Sequence, residues 1–145
     1  MPSKEKVDIN TVLKIVFDTN VLVSGIVHAG KSKQLIEGVL EGKITLILSM
    51  PIIREFKKVI ARDKFKLSKD QQKTLTNFVL GIGNIIRVSS KFKVIREDPS
   101  DDIILRTAHD GKARFIVSGD EHLLSLKAFR GIRIVTVNEM LVLLI

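Results

Sequence analysis

The chain has no cysteine, tryptophan or tyrosine among its 145 residues, and only three prolines. Without cysteine, a disulfide framework and a thiolate metal site are both excluded. Without Trp or Tyr, any stacking on bases falls to the seven Phe and to Arg planes. Long hydrophobic runs are missing too: none nears the ~18–20 residues that span a bilayer. Asp8, Lys14 and Asp18 interrupt any apolar stretch at the amino end, so a signal peptide is not expected and a soluble cytoplasmic protein is. Negative charge is scarce, with 16 Asp and Glu against 24 Lys and Arg.

The resulting net charge of +8 and pI near 9.9 favour a polyanionic partner, nucleic acid above all. An apolar fraction of 45% with positive mean hydropathy argues for a packed globule. The length suits one domain spanning 1–145, with a flexible amino-terminal lead over 1–10.

Apolar strands alternate with helical segments. Strands are expected at 13–17, 43–48, 85–95, 114–118 and 132–137. Helices are expected at 33–41, from Ser49 to about Arg62, from Ser68, over 99–110, in EHLLSL, and from Asn138 to the end. Ser49 is expected to cap its helix, and Ser68 with Gln71 forms a capping-box signature. Continuous apolar strands between helices predict an α/β fold, a mainly parallel five-stranded sheet covered on both faces. In such a sheet ligands bind beyond the carboxyl ends of the strands.

Four acidic positions then stand out. Asp18 and Asp120 follow strands closely, so both carboxylates reach the same sheet edge, although Asp is also a preferred helix N-cap. Glu55 shares a helix face with Ile52 and Val59, where a carboxylate needs a cation or hydrogen bonds; an ion pair is the plainer explanation. In Asp98-Pro99-Ser100-Asp101-Asp102, Asp98 suits the cap and Pro99 the first turn. Asp101 shares the face of Ile104, Leu105 and Ala108 and is preferred for chemistry. Asp102, about 100° further round the helix, remains a competitor. Hard oxygen donors without Cys or His clusters suit Mg²⁺ or Mn²⁺, which can hold a phosphodiester and activate water. His28 is read as a loop residue and His109 as a last-turn residue that suits its helix dipole; His122, two residues after Asp120, is within reach of the site but is read first as a solvated helix residue.

The segments VFDTNVLVSG (16–25), LSMPIIREFKKVI (48–60), DPSDDIILRTA (98–108) and FIVSGDEHLL (115–124), in this order and spacing, resemble the PIN-domain ribonucleases. The likeness is strongest to the VapC-like branch, the toxins of toxin–antitoxin pairs, and it covers the chain from Leu13 onward. It implies a three-layer α/β/α sandwich and a metal-dependent endoribonuclease that leaves a 5′-phosphate and a 3′-hydroxyl. By position, it implies Asp18, Glu55, Asp101 and Asp120 as the catalytic and metal-binding set, supported by Thr19, Asn20 and Ser118. Asp102 is an additional acid where the family varies. The implied cofactor is Mg²⁺ or Mn²⁺, and the implied partners are RNA and a small antitoxin. A homodimer is expected; the apolar terminus LVLLI (141–145) either buries in the core or forms part of that contact. The alternatives are an RNA-processing nuclease of the same kind without an antitoxin, and a non-catalytic RNA- or protein-binding module.

One motif competes. Residues 25–32, GIVHAGKS, fit the phosphate-loop pattern G-x-x-x-x-G-K-[ST] of nucleoside triphosphatases. Ile26 and Val27 resist the tight backbone such a loop needs. The resemblance also makes VLVSG part of a helix. The expectation is a helix–helix connection, with Ser32 helping to start the second helix and no nucleoside triphosphate bound.

Overall fold

The computed structural model describes residues 13–95 and 98–145; the lead expected over 1–10 lies outside the described residues. One sheet organises the chain. Strands β1 (Leu13–Phe17), β2 (Ile44–Leu48), β3 (Gly83–Ile85), β4 (Phe115–Val117), β5 (Ala128–Phe129) and β6 (Ile132–Val135) pair in the order β3-β2-β1-β4-β6-β5. Every pairing is parallel except that of β5 with β6. In β1 the consecutive residues Ile15, Val16 and Phe17 are all buried. Successive strand side chains point to opposite faces, so both faces of the sheet are covered, giving the α/β/α sandwich.

The helices are α1 (Thr19–Val27), α2 (Lys31–Leu40), α3 (Met50–Ile60), α4 (Lys69–Ile82), α5 (Pro99–Asp110), α6 (Glu121–Leu124) and α7 (Val137–Leu143). Among the described residues none is long and apolar enough to cross a membrane. The capping box of Ser68 and Gln71 is formed, and Thr136 with Glu139 makes a second one that opens α7.

Four details depart from expectation. There are six strands among the described residues, because β5 adds a two-residue edge. It is turned back onto β6 by Arg130 (φ 49) and Gly131 (φ 82), a positive-φ pair that suits a tight hairpin. Two residues carry no alternation from which to read a strand. Over 85–95 only the first residue continues β3; from Ile86 the chain has no regular structure. Ser49 occupies the N-cap position of α3 but makes no capping bond; its hydroxyl is buried and bonds Thr107 Oγ1 at 2.8 Å. Gly30, with φ 132, precedes α2, where Ser32 is an internal residue.

GIVHAGKS therefore spans the last turn of α1, a three-residue connection and the first turn of α2. The strand that must lead into a phosphate loop is absent at this place. Gly25 has a packing reason instead. A Cβ there would lie 2.8 Å from Ile36 Cγ1 and 2.9 Å from the Ser32 carbonyl oxygen. Only a bare Cα lets α1 and α2 approach this closely, and the Ser32 contact is backbone that cannot swing aside. Gly25→Ala should lower stability by about 1–3 kcal/mol in urea denaturation. Gly81→Ala, on the exposed side of α4 with open space around it, should be neutral or stabilising by up to about 1 kcal/mol. An unchanged midpoint for Gly25→Ala would contradict the close packing.

Candidate active site

All five parallel strands end at one edge, and the segments that follow β1, β2, β3 and β4 build the cleft there. Asp18 follows β1, and its backbone N–H extends the sheet by donating to Val117 O at 2.9 Å. Its carboxylate caps α1, accepting from Val21 N at 2.8 Å on Oδ1. The other oxygen accepts a short hydrogen bond from the Ser118 hydroxyl. Ser118 is fully buried one residue past β4, and its hydroxyl also accepts from Asp120 N at 2.9 Å. Asp120 caps α6 through His122 N at 2.7 Å. One serine hydroxyl thus ties the Asp18 carboxylate to the turn that carries Asp120.

The cleft is lined by Asp18, Thr19, Asn20, Glu55, Asp98, Asp101 and Asp120, with Ser100, Val59, Ile104 and Arg62. The four principal acids expected from sequence are therefore brought together. Thr19 and Asn20 line the opening as the first residues of α1, and Ser118 sits beneath them. Glu55 is half-buried and, among the described residues, makes no ion pair. Asp98 caps α5, accepting from Ser100 N and Oγ at 3.0 and 2.6 Å, while also facing the cleft.

Asp102 is placed elsewhere. It is 3% exposed and outside the cleft lining, and its Oδ1 accepts from Val94 N at 2.8 Å and Ile95 N at 3.0 Å. These bonds tie the irregular segment after β3 to the start of α5. Asp101, its neighbour, is only 6% exposed, and its Oδ2 is buried with no hydrogen-bond partner among the described residues. That is a costly arrangement for a carboxylate unless something else pairs with it.

The electrostatics of the cleft follow from this crowding. Burial, then the nearby charges of Asp120, Asp98 and Asp18, push Asp101 up to about 7. Burial raises Asp18 as well, opposed by its bonds from Ser118 and Val21 and reinforced by Asp120. Arg62 is the one cation among the residues lining the cleft. Donor atoms of Asp101, Asp120 and His122 lie within 4.8 Å of one another. An orphaned buried oxygen among converging carboxylates fits a divalent cation.

The sequence pattern of the PIN domain matches residues 14–122, three-quarters of the chain, running from β1 through α6. The chain belongs to the PIN domain family. The match encloses every acid of the cleft. Its PIN fold is also similar to a chain in the crystal structure of VapBC2 from Rickettsia felis bound to a DNA fragment from their promoter. That similarity has a TM-score of 0.61 at 17% identity, covering 86% of this chain and 98% of that one. None of the curated proteins compared with it matches this chain.

Arg62 and Ser100 in the lining, and the cleft-facing position of Asp98, carry no signal in the sequence pattern. Arg62 lies seven residues after Glu55 and two past the end of α3, and helical spacing brings it to the side on which Glu55 stands. The ring of His122 is half-exposed, as for a solvated helix residue, yet Nδ1 stands 3.9 Å from Asp120 Oδ1 and so near the site. The other histidines are away from the lining, His109 edge-on to Phe92 and His28 beside Phe65.

Asp101 gives the metal-free protein a distinctive pH dependence. Its folded pKa, about 7, lies above its ordinary 3.8, so between these values the folded chain keeps a proton that the unfolded chain has released. This contribution to stability is complete below about pH 4 and is lost as pH rises through about 7. In EDTA, wild-type Tm should fall relative to that of Asp101→Asn across this window. A difference that stays constant from pH 4 to pH 7.5 would contradict the burial and charge crowding.

Proposed function

We propose that this chain is a divalent-cation-dependent endoribonuclease and the toxin half of a toxin–antitoxin pair. The observation that carries the reading is the buried, unpartnered Asp101 oxygen in a cleft shared with Asp18, Asp120 and Glu55, on a protein of net charge +8. An acidic hollow in a basic molecule repels a phosphodiester unless a cation stands between them. Membership of the PIN domain family and the fold likeness to VapBC2 support the same reading.

Asp18, Asp101 and Asp120 would hold Mg²⁺ or Mn²⁺, with Glu55 as a further ligand or as the group that orients the attacking water. The cation, when bound, would lower the pKa of a water and offset charge on the scissile phosphate and departing oxygen. The protein's own part is orientation. Bonds from Val21 and Ser118 fix both Asp18 oxygens, leaving their remaining lone pairs for the cleft. Thr19 and Asn20 offer donors at its mouth, and Arg62 can pair with a phosphate oxygen.

Helix α3 supplies a route for the rest of the RNA. At 100° per residue, with Glu55 at zero, the core side chains Val59, Ile52, Phe56, Ile60 and Ile53 span about 40–160°. The exposed Lys57, Arg54 and Lys58, and Arg62 just beyond the helix, span about 200–340°. This arc leads from the cleft round to a groove against α4 that holds Lys57, Lys69 and Lys73. Among the described residues none of these cations is paired with a carboxylate. They are free to displace counterions from a polynucleotide backbone.

VapBC2 is bound to promoter DNA in its crystal structure; for this chain the proposed protein partner is a small antitoxin. A homodimer belongs to the same proposal. In LVLLI, Leu143 is buried, which leaves Val142 and Ile145 as the exposed side chains available for contact.

Incubation with single-stranded RNA and Mg²⁺ or Mn²⁺ should give 5′-phosphate ends, and EDTA should abolish cutting. Asp18→Asn and Asp101→Asn should each lower the rate about 100-fold or more, and Asp102→Asn should stay within about threefold. The triple change Arg54→Gln, Lys57→Gln, Lys58→Gln should weaken RNA binding and flatten its salt slope by about 2. Cutting that persists in EDTA, or in Asp18→Asn, would contradict the proposed site.

A further inference from the structure

Resting on the reading of the cleft as a cation site, we propose that His122 is a ligand in it. The site then has a mixed nitrogen and oxygen donor set that favours first-row transition-metal ions over Mg²⁺. Three observations combine. A ring nitrogen of His122 and carboxylate oxygens of Asp101 and Asp120 all lie within 4.8 Å of one another. Ligands on opposite sides of one ion at about 2.1 Å stand about 4.2 Å apart, so these three close around an ion with a small side-chain movement. Asp101 also carries an oxygen, Oδ2, that is buried without a hydrogen-bond partner among the described residues, on a residue only 6% exposed.

Local structure aims the ring. Asp120 caps α6 by accepting from His122 N at 2.7 Å, which folds the first turn back on the carboxylate. The imidazole is thereby carried over Asp120, with Nδ1 3.9 Å from Oδ1. The capping bond also fixes the spacing, because the ligand pair sits at the cap and two residues later. The ring remains half-exposed, so its other side is open to solvent and to an arriving ion.

The consequence lies in metal choice. Mg²⁺ takes oxygen donors in a strict octahedron and gives up its waters reluctantly, whereas imidazole nitrogen suits the later first-row ions. Carboxylates alone would accept Mg²⁺ and Mn²⁺ with little discrimination. One imidazole shifts the balance toward Mn²⁺ and the ions beyond it.

The test reads binding rather than cleavage. Mn²⁺ is titrated into the full chain and followed by electron paramagnetic resonance, with Mg²⁺ as competitor, in wild type and in His122→Ala. Wild type should bind Mn²⁺ more tightly than Mg²⁺, and the bound Mn²⁺ should show spin-echo modulation from an imidazole ¹⁴N. His122→Ala should lose that modulation and about 10–100-fold of its Mn²⁺ affinity, while its Mg²⁺ affinity changes less than threefold. Thermal melts keep a folding defect apart from loss of a ligand. Bound Mn²⁺ without ¹⁴N modulation, or unchanged Mn²⁺ affinity in His122→Ala, would overturn the proposal while leaving the ribonuclease reading intact. Nitrogen-coupled Mn²⁺ in a protein that cuts no RNA would uphold the ligand and refute the ribonuclease.

Discussion

The structure depends on the Ser118 hydroxyl more than on any other single contact. It donates to the Asp18 carboxylate and accepts from the backbone of Asp120. These bonds join two neighbouring strands, β1 and β4, at the edge where both end. A buried carboxylate is tolerated there because every bond it accepts comes from a fixed donor, either a helix N-terminus or a serine held in the sheet. Asp18 therefore serves the fold and the cleft at once. It starts α1, and its crowding with Asp120 contributes to the raised pKa values of Asp18 and Asp101.

The charge layout extends that constraint. Five carboxylates line a cleft that has Arg62 as the one cation among its lining residues, while the chain as a whole is strongly basic. Cations spread over the exposed side of α3 rather than pairing with the acids. Under the proposed function, an acidic hollow beside a basic rim would answer two needs of phosphodiester chemistry, a seat for a metal ion and a hold on the flanking phosphates. The opposite arrangement, with each acid neutralised by its own lysine, would have given a more conventional core and no place for either.

Much of this was legible in the sequence because the relevant information is local. Asp18 and Asp120 stand just past apolar strands, and the parallel topology brings such residues to one edge. Glu55 and Asp101 follow from helix periodicity, since each shares a face with buried aliphatic residues. The features that escaped depend on distant partners. Ser49 abandons its cap for Thr107, 58 residues away. Asp102 binds the amides of Val94 and Ile95, which come from a segment without periodicity. Helix angle alone separated it from Asp101 by 100°, and only the incoming chain decided what that side would meet. The two-residue β5 was invisible for lack of any pattern, and for His122 the spacing from Asp120 gave proximity but not the direction of its ring.

The central claim is that Asp18, Asp101 and Asp120 converge to hold a divalent cation. Its most direct measurement is a crystal structure of the wild-type chain grown with Mn²⁺, with anomalous differences recorded at a wavelength where manganese scatters. A peak is expected in the cleft, bounded by these three carboxylates and within bonding distance of Asp101 Oδ2. A cleft with no anomalous peak, with manganese bound elsewhere on the molecule, would contradict it.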